Sequence, residues 1–304
     1  MEKVTLVVPT IAKDIPKLLN NIDVYFSLLP IKNICVVATS EVGEMLPLDE
    51  RILFISEDEL VSFGKVKELI ERRSGQGASK RTGWYVQQFI KLAYSRVTDD
   101  EYYLLWDSDT IPVKEISLFN NKGLPYLDCK TEYHKPYFDT ISRLLPDHKK
   151  EYKGSFVAEH MLIKTDAMRE MLSRIETNST IQGDNFIEKV INAVDTAELS
   201  ESGFSEFETY GTFVYRNHRE MYELREWHSM RFGGFFYNGS SSLSDEVMTW
   251  LSKKYDAISF EKGDSISSVS KIVQSKQYMK IFKASSLHTF AFAIRAYRKI
   301  TKKR

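Results

Sequence analysis

Cysteine is nearly absent from this chain: two residues in 304, Cys35 and Cys129. They form no Cys-x-x-Cys and no metal-ligand spacing, which speaks against a disulfide framework or a structural zinc site and for buried, reduced thiols in a cytosolic protein. Net charge is absent too. Forty-two Lys and Arg balance 42 Asp and Glu, so the global basic signature of a nucleic-acid binder is missing. No apolar run approaches the ~18–20 residues that span a bilayer. The N-terminus shows no basic stretch leading into an apolar one, so no signal peptide is legible. The expected location is cytoplasmic, at most peripheral on the inner face of the membrane. Repeats and low-complexity tracts are also missing.

What is present is an ordinary apolar fraction and many aromatics, 18 Phe and 16 Tyr, enough for a sizeable core. The runs Val4–Val8, Ile34–Ala38 and Ile52–Ile55 read as buried strands. Between the first two, Ile15, Leu18, Leu19, Ile22, Tyr25 and Phe26 recur at helical spacing. Strand, helix, strand predicts an α/β fold with a central mixed, mostly parallel sheet flanked by helices. Helices are expected to start at Ser56 and to cover Trp84–Arg96, Thr165–Ile175, Asp184–Val194 and Glu206–His218. Further strands are expected at Tyr102–Trp106, Leu124–Cys129 and Ser155–Ile163. A break at Arg231–Gly234 divides the chain into a main domain, 1–237, and a C-terminal helical, basic appendage, 238–304. That appendage carries expected helices at Asp245–Tyr255 and Ser265–Lys303. Ten Lys or Arg and no acid fall between Ser265 and Arg304. Interleaved with Phe292, Tyr297 and Ile300, they suit contact with an anionic membrane surface.

The sharpest motif is Asp107-Ser108-Asp109, directly after the apolar run Tyr102–Trp106. In an open α/β sheet, ligands bind at the carboxyl ends of strands. Two carboxylates there are costly unless solvated, hydrogen-bonded or holding a cation. An all-oxygen pair suits Mg²⁺ or Mn²⁺ shared with a phosphorylated substrate. A solvated turn with helix-capping acids is the plain alternative. Haloacid-dehalogenase-type phosphatases also set two aspartates after a strand, but with a threonine two residues beyond the second. Here Ile111 stands in that place, and three strands come earlier.

Other candidates surround it. Arg81 opens the Trp84 helix, in a basic loop suited to a diphosphate. Gln87, Gln88 and Lys91 follow along that helix; the sequence leaves open which of them reach the sheet edge, and Trp84, Gln88 and Lys91 stand as candidates. Glu159 and His160 lie in an apolar stretch and point to opposite sides, so one of them faces the ligand; His160 is the candidate for contact with substrate. Glu206 and Glu208 at a helix start are either dipole-complementing acids or a general base. His228 is a candidate third metal ligand.

Together these residues resemble a GT-A-fold nucleotide-sugar glycosyltransferase. Gly83–Leu92, Phe156–Leu162 and Ser202–Gly211 are similar to segments of the bacterial DUF6492 group of GT-A-like proteins. The similarity covers roughly residues 1–235. It implies that Asp107 and Asp109 hold Mn²⁺ or Mg²⁺ against the donor diphosphate, with Ser108 beside it. It implies that Pro9, Thr10, Glu57 and Asp58 lie near the nucleoside, and that Glu206 or Glu208 is the base if the reaction inverts; a retaining reaction needs none. The implied partners are a nucleotide-sugar donor, such as a UDP-sugar, and a cell-surface glycan or lipid-linked acceptor. A sugar nucleotidyltransferase would carry a Gly-rich loop after its first strand, and Pro9–Asp14 has no glycine. A non-catalytic glycan- or nucleotide-binding protein on the same fold is the remaining alternative.

Overall fold

The computed structural model describes residues 3–260 and 266–301. Its main sheet has five strands in the order β3-β2-β1-β4-β7. They are β1 (Val4–Pro9), β2 (Ile31–Ala38), β3 (Ile52–Ser56), β4 (Tyr102–Trp106) and β7 (His160–Lys164). β1, β2, β3 and β4 run parallel, and β7 closes the edge antiparallel to β4. The chain leaves β1 towards β2 on one side and later returns to place β4 on the other. The loops after β1 and β4 therefore diverge from a switch point, which opens a crevice at the strands' carboxyl ends.

Both sheet faces are covered over β1, β2 and β4, which is why those strands read as continuous apolar runs rather than alternating ones, while the edge strand β3 leaves Leu53 and Phe54 exposed. Side-chain direction still alternates. Val7, Cys35, Val37, Tyr103 and Leu105 face the helices Phe63–Ser74, Thr82–Ala93, Thr165–Thr177 and Glu206–Asn217. Val4, Leu6, Val8, Ile34, Val36, Leu104 and Trp106 face Ile15–Asn20 and Ile22–Leu28. The single helix expected over Ile15–Phe26 is thus two. Asn21 donates its side-chain amide to Lys17 O at 2.7 Å, competing with the helical backbone bond at the junction.

The expected strand Ser155–Ile163 is strand only from His160; Ser155 bridges Lys130 instead. The strand expected at Leu124–Cys129 is β6 (Tyr126–Cys129), and it pairs in parallel, apart from the main sheet, with β8 (Glu223–Glu226), which the sequence did not show. The polar aromatic segment near Tyr133 becomes the helix Lys135–Leu144.

The C-terminal part does not form a separate appendage. β10 (Ala257–Ser259) is the middle strand of a second sheet, between β5 (Thr110–Pro112) and β9 (Ser229–Met230). Trp250, Leu251, Tyr255, Ile258 and Leu287 share one core with Ile111, Met230 and Phe236. A boundary after residue 237 would cut through that core. The segment expected as one helix over Ser265–Lys303 contains three helices, Ser270–Val273, Lys276–Ile281 and Ser286–Thr301; Ser265 and residues 302–303 lie outside the described residues. Among the described residues, no helix is long and apolar enough to cross a membrane.

Candidate functional site

The crevice at the switch point is a cleft of about 1660 Å³. That exceeds the ~300–1,000 Å³ usual for one small ligand, so two substrates have room together. Pro9, Thr10, Glu57, Arg81, Trp84, Gln88, Lys91, Asp107, Ser108, Asp109 and Glu206 all line it.

The Asp107–Thr110 turn is held on several sides. Asp107 N donates to Glu159 O at 2.9 Å, and Thr110 N closes the turn onto Asp107 O at 3.0 Å. Trp106 Nε1 and Tyr25 Oη both donate to Thr110 O, at 2.7 and 3.1 Å. Phe260 N, just beyond β10, donates to Asp109 O at 2.8 Å. The second sheet thereby fixes the backbone of the second aspartate.

Lys91 sits at the centre of the floor, almost fully buried. Its Nζ donates to Asp107 Oδ1 at 2.6 Å and Glu206 Oε1 at 2.7 Å, and lies 4.2 Å from the Phe207 ring centre. Burial alone would lower the lysine's pKa, but the two carboxylates outweigh it and hold the ammonium above its usual range. Burial pushes the Asp107 carboxyl up, and Lys91 pulls it back. The Asp107 side chain keeps 30% exposure, enough to reach a ligand from the cleft.

Glu206 begins its helix after the N-cap Ser205, whose hydroxyl accepts from Glu208 N at 3.2 Å. Gln88 Oε1 accepts from Glu206 N at 3.1 Å, so this glutamine caps the helix from the side. Residues two apart on a helix point about 200° apart, close to opposite faces. Glu206 therefore faces the cleft and Glu208 faces the core. There the Glu208 carboxylate accepts from Ser155 Oγ at 2.5 Å and Phe156 N at 3.1 Å, and burial raises its pKa. Glu208 is a buried structural acceptor, away from the cleft, and the expectation that it serves as base is corrected.

Glu159 and His160 do diverge, although Glu159 lies just before β7 rather than in it, and the assignment is the opposite of the expected one. His160 is buried between Trp106 and Trp227, ring centres 5.0 and 4.1 Å away, and pairs through Nε2 with Asp128 at 2.8 Å. It does not reach the cleft. Glu159 does, gathered by Lys130 Nζ at 2.8 Å, Ser229 Oγ at 2.9 Å and Trp227 Nε1 at 3.0 Å. Burial would raise its pKa, but Lys130 and its neighbours hold it below the usual carboxylate value. Arg231 Nε lies 3.7 Å from the same carboxylate.

His228 is also displaced from its expected role. It is outside the cleft lining, with Nε2 3.3 Å from Glu226 and its backbone N–H bonded to Asp256 at 2.8 Å. The metal expectation is thus reduced to the aspartate pair. Among the described residues, no group of three or more His, Cys, Asp or Glu could hold a metal ion. Two hard carboxylates at one strand end still fit an ion that arrives with a diphosphate, because Mg²⁺ is usually held by one or two carboxylates plus substrate phosphates and water.

The rest of the cleft is graded in charge. Glu41, Glu57 and Asp58 line the end beyond β2 and β3. There burial, then Asp58 and Glu41, raise the pKa of Glu57. Lys80 and Arg81 line the wall at the head of the Thr82–Ala93 helix, with Arg81 stacked 4.2 Å over the Trp84 ring and bonded to Glu201 O at 2.8 Å. Residues 238–241, which the sequence reading had assigned to the appendage, form a further part of the lining beside Tyr237. No periodicity marks them, because only folding brings them over the cleft.

Comparison with known proteins gives one sequence family. The sequence model of a family of unknown function, DUF6492, matches residues 2–292, including most of the C-terminal segment that the motif resemblance had left out. No curated protein matches the chain. Among solved structures, mouse xyloside xylosyltransferase 1 is similar at 12% identity and TM-score 0.45, over 87% of this chain and 100% of that one. The galactosyltransferase LgtC is similar at 12% identity and TM-score 0.41, over 86% and 88% of the two chains. The glycosyltransferase GlyE of Streptococcus pneumoniae TIGR4 is similar at 12% identity and TM-score 0.38, over 97% of this chain and 64% of its own.

Proposed function

The chain belongs to the DUF6492 family, whose function is unknown, and from the chemistry of its cleft we propose that it is a metal-dependent glycosyltransferase. It would move a sugar from a nucleoside diphosphate donor, such as a UDP-sugar, to a hydroxyl of a cell-surface glycan or lipid-linked precursor. The observation that carries this reading is the Asp107–Asp109 pair at the sheet's switch point, joined through Lys91 to Glu206 across one cleft. An aspartate pair fit to hold a divalent ion against a diphosphate and a carboxylate at a helix start are the two halves of a sugar transfer in this reading.

In this reading the acids beyond β2 and β3 accept hydrogen bonds from the donor's ribose, and the basic wall with Lys80 and Arg81 draws the diphosphate. Asp107 and Asp109 hold Mg²⁺ or Mn²⁺ with it; when bound, the ion neutralises charge on the departing diphosphate. Lys91 keeps the facing carboxylates of Asp107 and Glu206 from repelling each other, so both stay in place as substrates enter. Glu206 takes the proton from the acceptor hydroxyl. The acceptor oxygen bonds the anomeric carbon as the carbon–oxygen bond to diphosphate breaks, which inverts the centre and releases the nucleoside diphosphate. Glu159, held ionised by Lys130, Ser229 and Trp227, orients sugar hydroxyls from the floor.

The test is transfer or hydrolysis of UDP-sugars by the purified chain with Mn²⁺. Release of UDP that is lost in Asp109→Ala, with the fold retained, supports the reading. Unchanged activity in that variant or in excess EDTA defeats the metal assignment. Absence of a thermal shift with every nucleotide and nucleotide-sugar, with or without Mn²⁺, defeats the donor assignment; a ligand at 100 times its dissociation constant should add about 2.7 kcal/mol.

A further inference from the structure

The Ser286–Thr301 helix is apolar on two sides. Its inner side is explained: Leu287 and Ala291 are buried in the third core cluster, and Phe290 and Ile294 pack against it. Arg295 and Arg298 sit over the rings of Phe232 and Phe235, each with its Cζ 4.6 Å from the ring centre. They anchor that side to the body of the protein. The outer side is left to solvent with Phe292 at 77%, Tyr297 at 69% and Ile300 at 67% exposure. At 100° per residue, these three fall within one sector of about 140°, with Ala293 and Ala296 between them. A surface helix of a globular protein ordinarily turns charged residues outward. This one turns an aromatic and aliphatic stripe outward.

The charge around the stripe decides what covers it. Residues 266–301 contain seven Lys or Arg and no Asp or Glu. Lys271, Lys280 and Lys283 are exposed on the segment leading into the helix, and Ile281 and Phe282 are exposed beside them. A second copy of this chain would bring like charges together across the contact. An anionic bilayer surface answers both features, because headgroups attract the lysines and the acyl boundary takes up the apolar side chains. We propose that the outer face of the Ser286–Thr301 helix docks the protein on an anionic membrane surface. The inference stands apart from the transfer reaction, since it uses none of the cleft residues.

The test is flotation of the full chain with phosphatidylcholine vesicles, with and without phosphatidylglycerol. The fraction bound should rise at least tenfold when the anionic lipid is included and fall in high salt. The variant F292S/Y297S/I300S, once shown to be folded, should lose at least tenfold in binding, because the three side chains are exposed. Should that variant melt early, K280Q/K283Q gives the same readout without touching the helix, and its binding to anionic vesicles should also fall. Equal flotation with and without phosphatidylglycerol, or full binding by folded F292S/Y297S/I300S, overturns the proposal. So does a concentration-dependent dimer of the parent chain that this variant abolishes, which would assign the stripe to a second copy.

Discussion

Replacing Lys91 with methionine tests the electrostatic centre of the cleft. Methionine keeps an unbranched stem and removes the ammonium that bridges Asp107 and Glu206 at 2.6 and 2.7 Å. Each contact is worth about 6 kcal/mol of gross attraction at an effective dielectric near 20. Most of that offsets the desolvation of the ions, so the measurable quantity is the cost of leaving the carboxylates uncompensated, about 3–5 kcal/mol. Asp107 keeps 30% side-chain exposure, which lets water screen one of them. The expected loss therefore lies at the low end, about 3 kcal/mol at pH 7. For a chain of this size that is a fall in melting temperature of about 5 °C. The pH dependence has a definite sign. Without Lys91, burial raises the Asp107 carboxyl with its main opposing charge gone. Its penalty is absent below the unfolded value and fully felt above the folded one. The gap between parent and variant in urea unfolding should thus be widest at pH 7 and narrow as pH falls towards 5. A loss under about 1 kcal/mol, or a gap that stays constant between pH 7 and 5, would refute the role given to Lys91.

Three other outcomes are expected. Glu206→Gln should cut turnover of the folded enzyme about 10²–10⁴-fold, the range for a lost general base, and should also lower stability, because buried Lys91 loses one of its two charge partners, while Glu208→Gln should leave turnover near parental and cost about 1–2 kcal/mol in stability; the kcat of the two folded variants separates base from structural acceptor. Calorimetric titration with Mn²⁺ alone should show no tight site, because among the described residues no third His, Cys, Asp or Glu joins the aspartate pair, whereas UDP with Mn²⁺ should bind and Asp109→Ala should abolish that binding; tight uptake of Mn²⁺ without nucleotide would refute a site completed by the diphosphate. Gly211→Ala should destabilise by about 1–3 kcal/mol, although alanine is the better helix former, since a Cβ there would lie 2.3 Å from the Phe156 ring; a neutral or raised unfolding midpoint would show that the ring moves aside freely.

Much of this was legible in the sequence, for reasons of range. β1, β2 and β4 announced themselves as apolar runs because the sheet is covered on both faces there and most of their positions are buried; β3 read the same way although this edge strand is left half-exposed. The aspartate pair was legible because strand ends in such sheets meet ligands whatever the rest of the chain does. The divergence of Glu159 from His160 was expected from strand geometry, and that of Glu206 from Glu208 was available from helical spacing. Which member of each pair faced the cleft was decided by packing. Trp106, Trp227 and Asp128 claim His160 for the core, and Ser155 and the Phe156 amide claim Glu208. Lys91 was a candidate for phosphate in the sequence; only the folded chain sets Glu206, 115 residues later, against it. The C-terminal segment changed most. Its composition read as an appendage because composition reports local character, while β10 pairs with β5 across 145 residues or more. Long-range strand pairing leaves no local pattern, so the sheet that holds Asp109, the loop that completes the cleft and the inner face of the last helix belong to tertiary structure alone.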